Sequence, residues 1–274
     1  MKHSVVACMC LILLVLFCVP AIAQPSTKSV ETIILDNFDN EGAQDYLFHG
    51  RTYNWTWRLQ ASRFVTSEKD SNGNVTDSYP KSGYFSAVPN SLRPLQAEGA
   101  DPKVYGVQAK FDRKGDNWFE VLPCTSDDSG EETNFEIPLS GLVKQIDFWV
   151  WGANYKYVLE LMVRDADGRV NVLRATDLNF NGWRNVIVNI PSSIRQQSRL
   201  RSGPQNLTIV GFRVRSDPSE YVDDFMIFFD QLKYTSHTLN NIFDGFELKY
   251  ADFGDQDSSY SSNSSSSSVS VDAK

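Results

Sequence analysis

The feature that most constrains this chain is a succession of short β-branched or aromatic runs, each closed off by turn residues, with no long apolar period of 3.6 residues between them. The runs are Ile33–Leu35, Trp55–Leu59, Val104–Phe111, Trp118–Leu122, Ile146–Trp151, Val158–Val163, Val170–Arg174, Trp183–Ile190, Leu207–Val214 and Met226–Tyr234. They lie densest between Gly141 and Tyr234. Asn72-Gly73 and Asp167-Gly168 read as hairpin turns, because glycine accepts a positive φ without a Cβ clash. Many short strands with punctuated turns define an all-β fold, and this count suits a jelly-roll-like β-sandwich of the carbohydrate-binding-module or galactose-binding type, with long loops and at most short helices. One such helix is expected over Pro191–Leu200, with Pro191 in its first turn. Asn40–Ala100, rich in Ser, Asn, Gly and Pro, reads as long loops, and the acidic segment Asp127–Glu132 as a solvated one.

The ends differ from the middle. Residues 1–23 form an export signal, with Lys2 and His3 before the apolar core Leu11–Phe17. Ala21-Ile22-Ala23 then places cleavage before Gln24. That apolar run is short for a membrane span and no second one follows. Residues 24–250 are expected to make a single β-sandwich domain, and residues 251–274 a disordered tail, since ten of the thirteen residues from Ser258 to Ser270 are serine. Cys8, Cys10 and Cys18 leave with the signal, so Cys124 has no partner for an internal disulfide. A secreted chain with one cysteine fits a bacterial periplasm better than a disulfide-rich secretory setting. Loss of Lys2 leaves 25 basic residues against 34 acidic ones, a net charge of −9 that repels phosphate backbones and argues against nucleic-acid binding.

No catalytic constellation is visible. After the signal only His49 and His237 remain, without HExxH, CxxC or GxSxG spacing and without a phosphate-cradling glycine loop. The chain therefore reads as a non-enzyme, although two carboxylates brought together by folding would leave no trace in the sequence. Asp165-Ala166-Asp167-Gly168 lacks the later ligands of a calcium loop and reads as a turn. Asp36 and Asp39 in the first strand region and Asp230 in the last are the candidates for a structural calcium ion joining the two chain ends; no other cofactor is implied. Of the six tryptophans, four form the i, i+2 pairs Trp55/Trp57 and Trp149/Trp151. Alternation assigns Ile146, Phe148 and Val150 to the core, which turns Trp149 and Trp151 outward beside Asp147. Outward tryptophans stack on sugars or anchor protein interfaces, so Trp149, Trp151, Asn154 and Tyr155 are the candidate partner surface.

The order of pieces from Gly141 to Tyr234 resembles the outer-layer (sheath) proteins of spirochaete periplasmic flagella, the FlaA family. The resemblance rests on Val143-Lys144, Gly152-Ala-Asn154-Tyr155, Arg164-Asp165-Ala-Asp167-Gly168 and Leu178-Asn-Phe180-Asn-Gly182-Trp183. It continues through Asn189-Ile-Pro191, Gly211-Phe212-Arg-Val-Arg215 and Phe229-Asp230-Gln-Leu-Lys-Tyr234. It implies a structural subunit of the periplasm that coats a flagellin core together with other sheath subunits in a polymeric assembly, and that contributes to filament stiffness, shape and motility. The competing expectation is a secreted carbohydrate-binding module using its exposed tryptophans; a glycosidase or lyase comes third.

Overall fold

Alternating apolar residues in this chain find partners by closing two antiparallel sheets over each other. The computed structural model describes residues 28–41, 45–126, 130–197 and 206–239. The N-terminal part contains β1 (Lys28–Asp36), β2 (Tyr46–Phe48), β3 (Arg51–Tyr53), β4 (Thr56–Ala61), β5 (Ser67–Lys69), β6 (Val75–Ser78) and β7 (Lys81–Ser86). Next come one 3-10 turn (Arg93–Leu95), β8 (Lys103–Ala109), β9 (Trp118–Ser126), β10 (Glu132–Asn134) and β11 (Ile137–Pro138). The last part holds β12 (Leu142–Ala153), β13 (Tyr157–Arg164), β14 (Val170–Asp177), β15 (Asn181–Asn189), β16 (Thr208–Ser216) and β17 (Phe225–Leu239).

Six strands form a first sheet in the order β15-β12-β17-β8-β7, with β1 also beside β17. Seven form a second in the order β10-β9-β16-β13-β14, with β4 on β9 and β11 on β16. The chain passes repeatedly between the sheets, as at β12 to β13 and β14 to β15, which makes the sandwich a jelly roll. Two short ribbons, β2-β3 and β5-β6, stand apart. Val30–Leu239 makes one unit with one apolar core. The expected export signal and serine-rich tail lie outside the described residues.

The core is aromatic at its centre. Phe148 of the first sheet meets Phe212 of the second edge-on at 4.9 Å, and Phe229 stacks on Phe212 at 5.0 Å. Ile146, Phe148 and Val150 are fully buried, so the alternation in β12 is oriented as its sequence indicates. Trp55 and Trp57 are both buried, with Trp57 packed on Phe38 and Phe212. Tyr46 and Tyr234 join hydroxyls at 3.2 Å inside this core, and burial raises the Tyr46 phenol well above its ordinary range.

Two expectations change. Asn40–Ala100 carries more strand than expected among its loops: it contains β2 to β7, and β5 and β6 escaped notice because their side chains are almost all polar and exposed. Their turn, around Asn72-Gly73, is a hairpin as expected, with Asp70 accepting from the Asn72 and Asn74 amides. Pro191–Gln197 is a turn and not a helix; Leu200, the expected end, lies outside the described residues. Tertiary contacts override the local signal there. Gln196 donates to the Val143 carbonyl and accepts from its amide, at 2.8 and 2.7 Å, and the Arg195 carbonyl accepts from Ala166.

Candidate interaction surface

The outward faces of the two sheets carry opposite chemistry. On the first sheet, the register places Trp183 of β15 opposite Trp151 of β12, and Trp151 opposite Phe228 of β17. Phe228 in turn lies opposite Gly106 of β8, which faces Gly83 of β7. Three aromatic residues followed by two glycines thus cross five strands in one row. Trp151 meets Phe228 edge-on at 5.4 Å, and Phe228 meets Phe85 edge-on at 5.6 Å. The missing side chain at Gly106 leaves room for the Phe228 and Phe85 rings over the sheet. A Cβ at Gly106 would fall 2.6 Å from Phe228 Cε1 and 2.8 Å from Phe85 Cε2. A shallow apolar groove of about 290 Å³ remains between the rings, Met226 and Lys81. Phe85 is 52% exposed, so the row ends in an open aromatic surface.

On the second sheet the corresponding row is ionic: Gln60, Glu120, Arg213, Glu160 and Arg174 stand opposite one another across β4, β9, β16, β13 and β14. Arg213 binds Glu120 at 2.6 Å, and Arg215 approaches Glu160 at 3.6 Å. Alternating signs across neighbouring strands favour this register. A partner that excludes water gains more from the aromatic face.

The predicted partner residues separate into two groups. Trp149 and Trp151 are half-buried on the outward face of the first sheet, Trp151 within the row and Trp149 beside it. Asp147 beside them is buried and paired with Lys233 at 3.2 Å. Asn154 and Tyr155 sit instead in the turn from β12 to β13. Asn154 is exposed with φ of 63°, and Tyr155 packs edge-on against Phe225 at 5.4 Å and donates to the Asp223 carbonyl. Phe228, Phe85, Trp183 and the two glycines were not foreseen. The Trp-x-Trp pair signals one strand of the row, but nothing local in the sequence reveals which strands become neighbours.

Asp36, Asp39 and Asp230 do come near one another: Asp39 raises the proton affinity of Asp36, and Asp39 and Asp36 both raise that of Asp230. Burial pushes Asp36 up to about 6 and Asp230 up to about 7. The chain itself supplies hydrogens to these oxygens. Asp36 accepts from Trp57 Nε1 at 2.8 Å and the Phe38 amide at 2.7 Å, and Asp39 accepts from the Lys103 amide and Asn37. Among the described residues no group of three or more His, Cys, Asp or Glu side chains is arranged to hold a metal ion. Among the same residues no helix is long and apolar enough to cross a membrane.

An antiparallel jelly roll with one aromatic and one ionic face defines the class: a β-sandwich domain whose distinctive surface is a sheet face rather than a pocket of converging reactive groups. Residues 54–240, nearly the whole sandwich, match the family of the flagellar filament outer layer protein Flaa, and the chain belongs to that family. It is 31% identical over 138 residues to a flagellar filament outer layer-like protein of Brachyspira hyodysenteriae, a match covering 50% of this chain and 59% of that relative. The chain therefore matches rather more than half the length of that curated relative. Among solved structures, it is similar to the carbohydrate-binding module TmCBM61 in complex with β-1,4-galactotriose, at 14% identity and a TM-score of 0.33, over 66% of this chain and 88% of that one. It is also similar to the family 11 carbohydrate-binding module of cellulase Lic26A-Cel5E of Clostridium thermocellum, at 12% identity and a TM-score of 0.36, over 77% and 96%.

Proposed function

We propose that this chain is a structural subunit of the outer layer of a periplasmic flagellar filament, where it coats the flagellin core alongside other sheath subunits. In this role it contributes to filament stiffness, shape and motility. The observation that carries the reading is the family match, which spans the sandwich from just before β4 to the end of β17. The aromatic row on the first sheet gives such a subunit a face to lay against a neighbour, since clustered aromatic side chains bury large area at low entropic cost. Deleting the gene tests the role: filaments from the deletion strain should be thinner, with altered curvature and slower cells. Unchanged filament diameter and motility would refute it.

A second reading has its own support in the Trp151–Phe228–Phe85 surface over Gly106. Exposed aromatic rings beside an apolar groove floored by glycines suit contact with a saccharide ring. A glycan array separates the two readings. Selective binding that is lost in Phe85→Ala favours the saccharide; a blank array removes it.

A further inference from the structure

Among the described residues, the edge of the first sheet at β15 is open. β15 is nine residues long, pairs with β12 in unbroken register, and has no described strand on its other side. Which of its backbone groups point outward follows from two bonds. Ile190 donates to the Lys144 carbonyl at 2.9 Å and Asn154 to the Phe180 carbonyl at 2.8 Å, so the even-numbered residues of β15 bond to β12. The N–H and C=O groups of Asn181, Trp183, Asn185, Ile187 and Asn189 are therefore directed off the edge.

Several other sheet ends are blunted, and the open outer strand β4 is shorter, at six residues. β14 is interrupted by a bulge near Ala175, β10 has three residues, all exposed and polar, and β7 begins with a lysine. β15 carries no lysine, carboxylate, proline or register break, and its Ile187 is 52% exposed. Long regular edges of this kind template pairing with another strand.

We propose that β15 pairs antiparallel with β15 of a second copy of this chain, about a two-fold axis through Asn185. The strand is self-complementary in that register. Asn185 faces Asn185, Trp183 faces Ile187, Arg184 faces Val186 and Asn181 faces Asn189. No charge meets its like, and the Trp183–Ile187 contacts, made twice, are aromatic on β-branched pairs of the kind that stabilise sheets. Centring on Asn185, the midpoint of the strand, uses every outward-directed residue and forms about ten backbone hydrogen bonds. A symmetric contact of this type is isologous and closed, so it makes a dimer. The first sheet then continues through both copies, and their aromatic rows share one outward face. The assignment deepens the sheath reading by naming a subunit contact, and rests on that reading for its place in a filament.

The test is cross-linking of the full chain carrying Asn185→Cys. In a hydrogen-bonded antiparallel pair the two Cα atoms lie about 5.5 Å apart, within disulfide reach. Mild oxidation should give a linked dimer, whereas Val172→Cys, exposed on β14, and the unsubstituted chain should stay unlinked under the same conditions. Asn185→Lys places two ammonium groups face to face and should weaken dimerisation at least tenfold in sedimentation equilibrium, while circular dichroism keeps the β-sheet signature of the folded chain. Monomer at all concentrations, or equal linking through residues 172 and 185, overturns the proposal. Isolated filaments that contain the Asn185→Cys chain without cross-linking it defeat the edge contact alone. Cross-linked dimer in solution with no chain in the filaments defeats the sheath reading alone.

Discussion

Replacing Gly211 with alanine should be among the most damaging single-methyl changes in this protein, although the residue touches no proposed surface. Gly211 lies in β16 at the shift where Met162 faces Gly211 and Val163 faces Ile209, with φ of 146°. Two costs combine. A positive φ strains an L-residue by about 1 kcal/mol or more. The new Cβ would also lie 2.4 Å from the Val121 carbonyl oxygen and 2.9 Å from Leu122 Cδ2. That oxygen is backbone, so relief requires β9 to move away from β16 beside the Phe212–Val121 pairing, under the ring at the centre of the core. Overpacking of this kind adds about 1–3 kcal/mol, for a total of about 2–4 kcal/mol. At about 2–4 °C per kcal/mol for a domain of this size, the melting temperature should fall by roughly 10 °C. Gly73→Ala is the control, because its φ is similarly positive at 85° but nothing lies within 4 Å of its Cβ. It should lose only about 1 kcal/mol. Differential scanning calorimetry of both variants decides the matter, and equal losses would refute the close approach of β9 to Gly211.

Three further outcomes follow from the buried carboxylates and the aromatic row. Asp36 and Asp230 have folded-state pKa values above the unfolded value of 3.8, so their contribution is fully present below that value and is lost as pH rises through about 6 and about 7. Chemical denaturation should show higher stability at pH 5 than at pH 8, and Asp230→Asn should flatten the slope. If the slope instead reverses, or a chelator lowers the melting temperature at pH 8, these carboxylates bind a cation. Trp57→Phe removes the 2.8 Å donor to Asp36 and should cost about 1–3 kcal/mol at pH 8, less at pH 5 where Asp36 is protonated; a pH-independent loss would assign the effect to packing alone. Trp151→Ala should reduce incorporation into filaments several-fold while shifting the melting temperature by only a few degrees. Normal incorporation would remove the aromatic row from the contact surface.

Much of the architecture is legible in the sequence because its strands are short β-branched or aromatic runs, and in β12 the side-chain type also alternates. Ile146, Phe148 and Val150 against Asp147, Trp149 and Trp151 state both the element and its inward face, and the structure agrees. Polar strands give no such signal, which is why β5 and β6 read as loop around a correctly read turn. Gln196 shows the other limit: its side chain holds Val143, fifty-three positions away, and replaces the local helical preference. The surface is legible only in part for the same reason. Trp149 and Trp151 are apparent within one strand, but the row through Phe228, Gly106 and Gly83 exists only once β12, β17, β8 and β7 take their order. Tyr155 follows the pattern of a surface residue yet turns onto Phe225.

The central claim, that this chain is a sheath subunit, is tested most directly by quantitative mass spectrometry and immunogold labelling of purified periplasmic flagella. The account predicts the chain in the filament fraction at a fixed ratio to flagellin, with gold distributed along the filament surface. Its absence from washed filaments, with the chain abundant elsewhere in the same cells, would contradict the account.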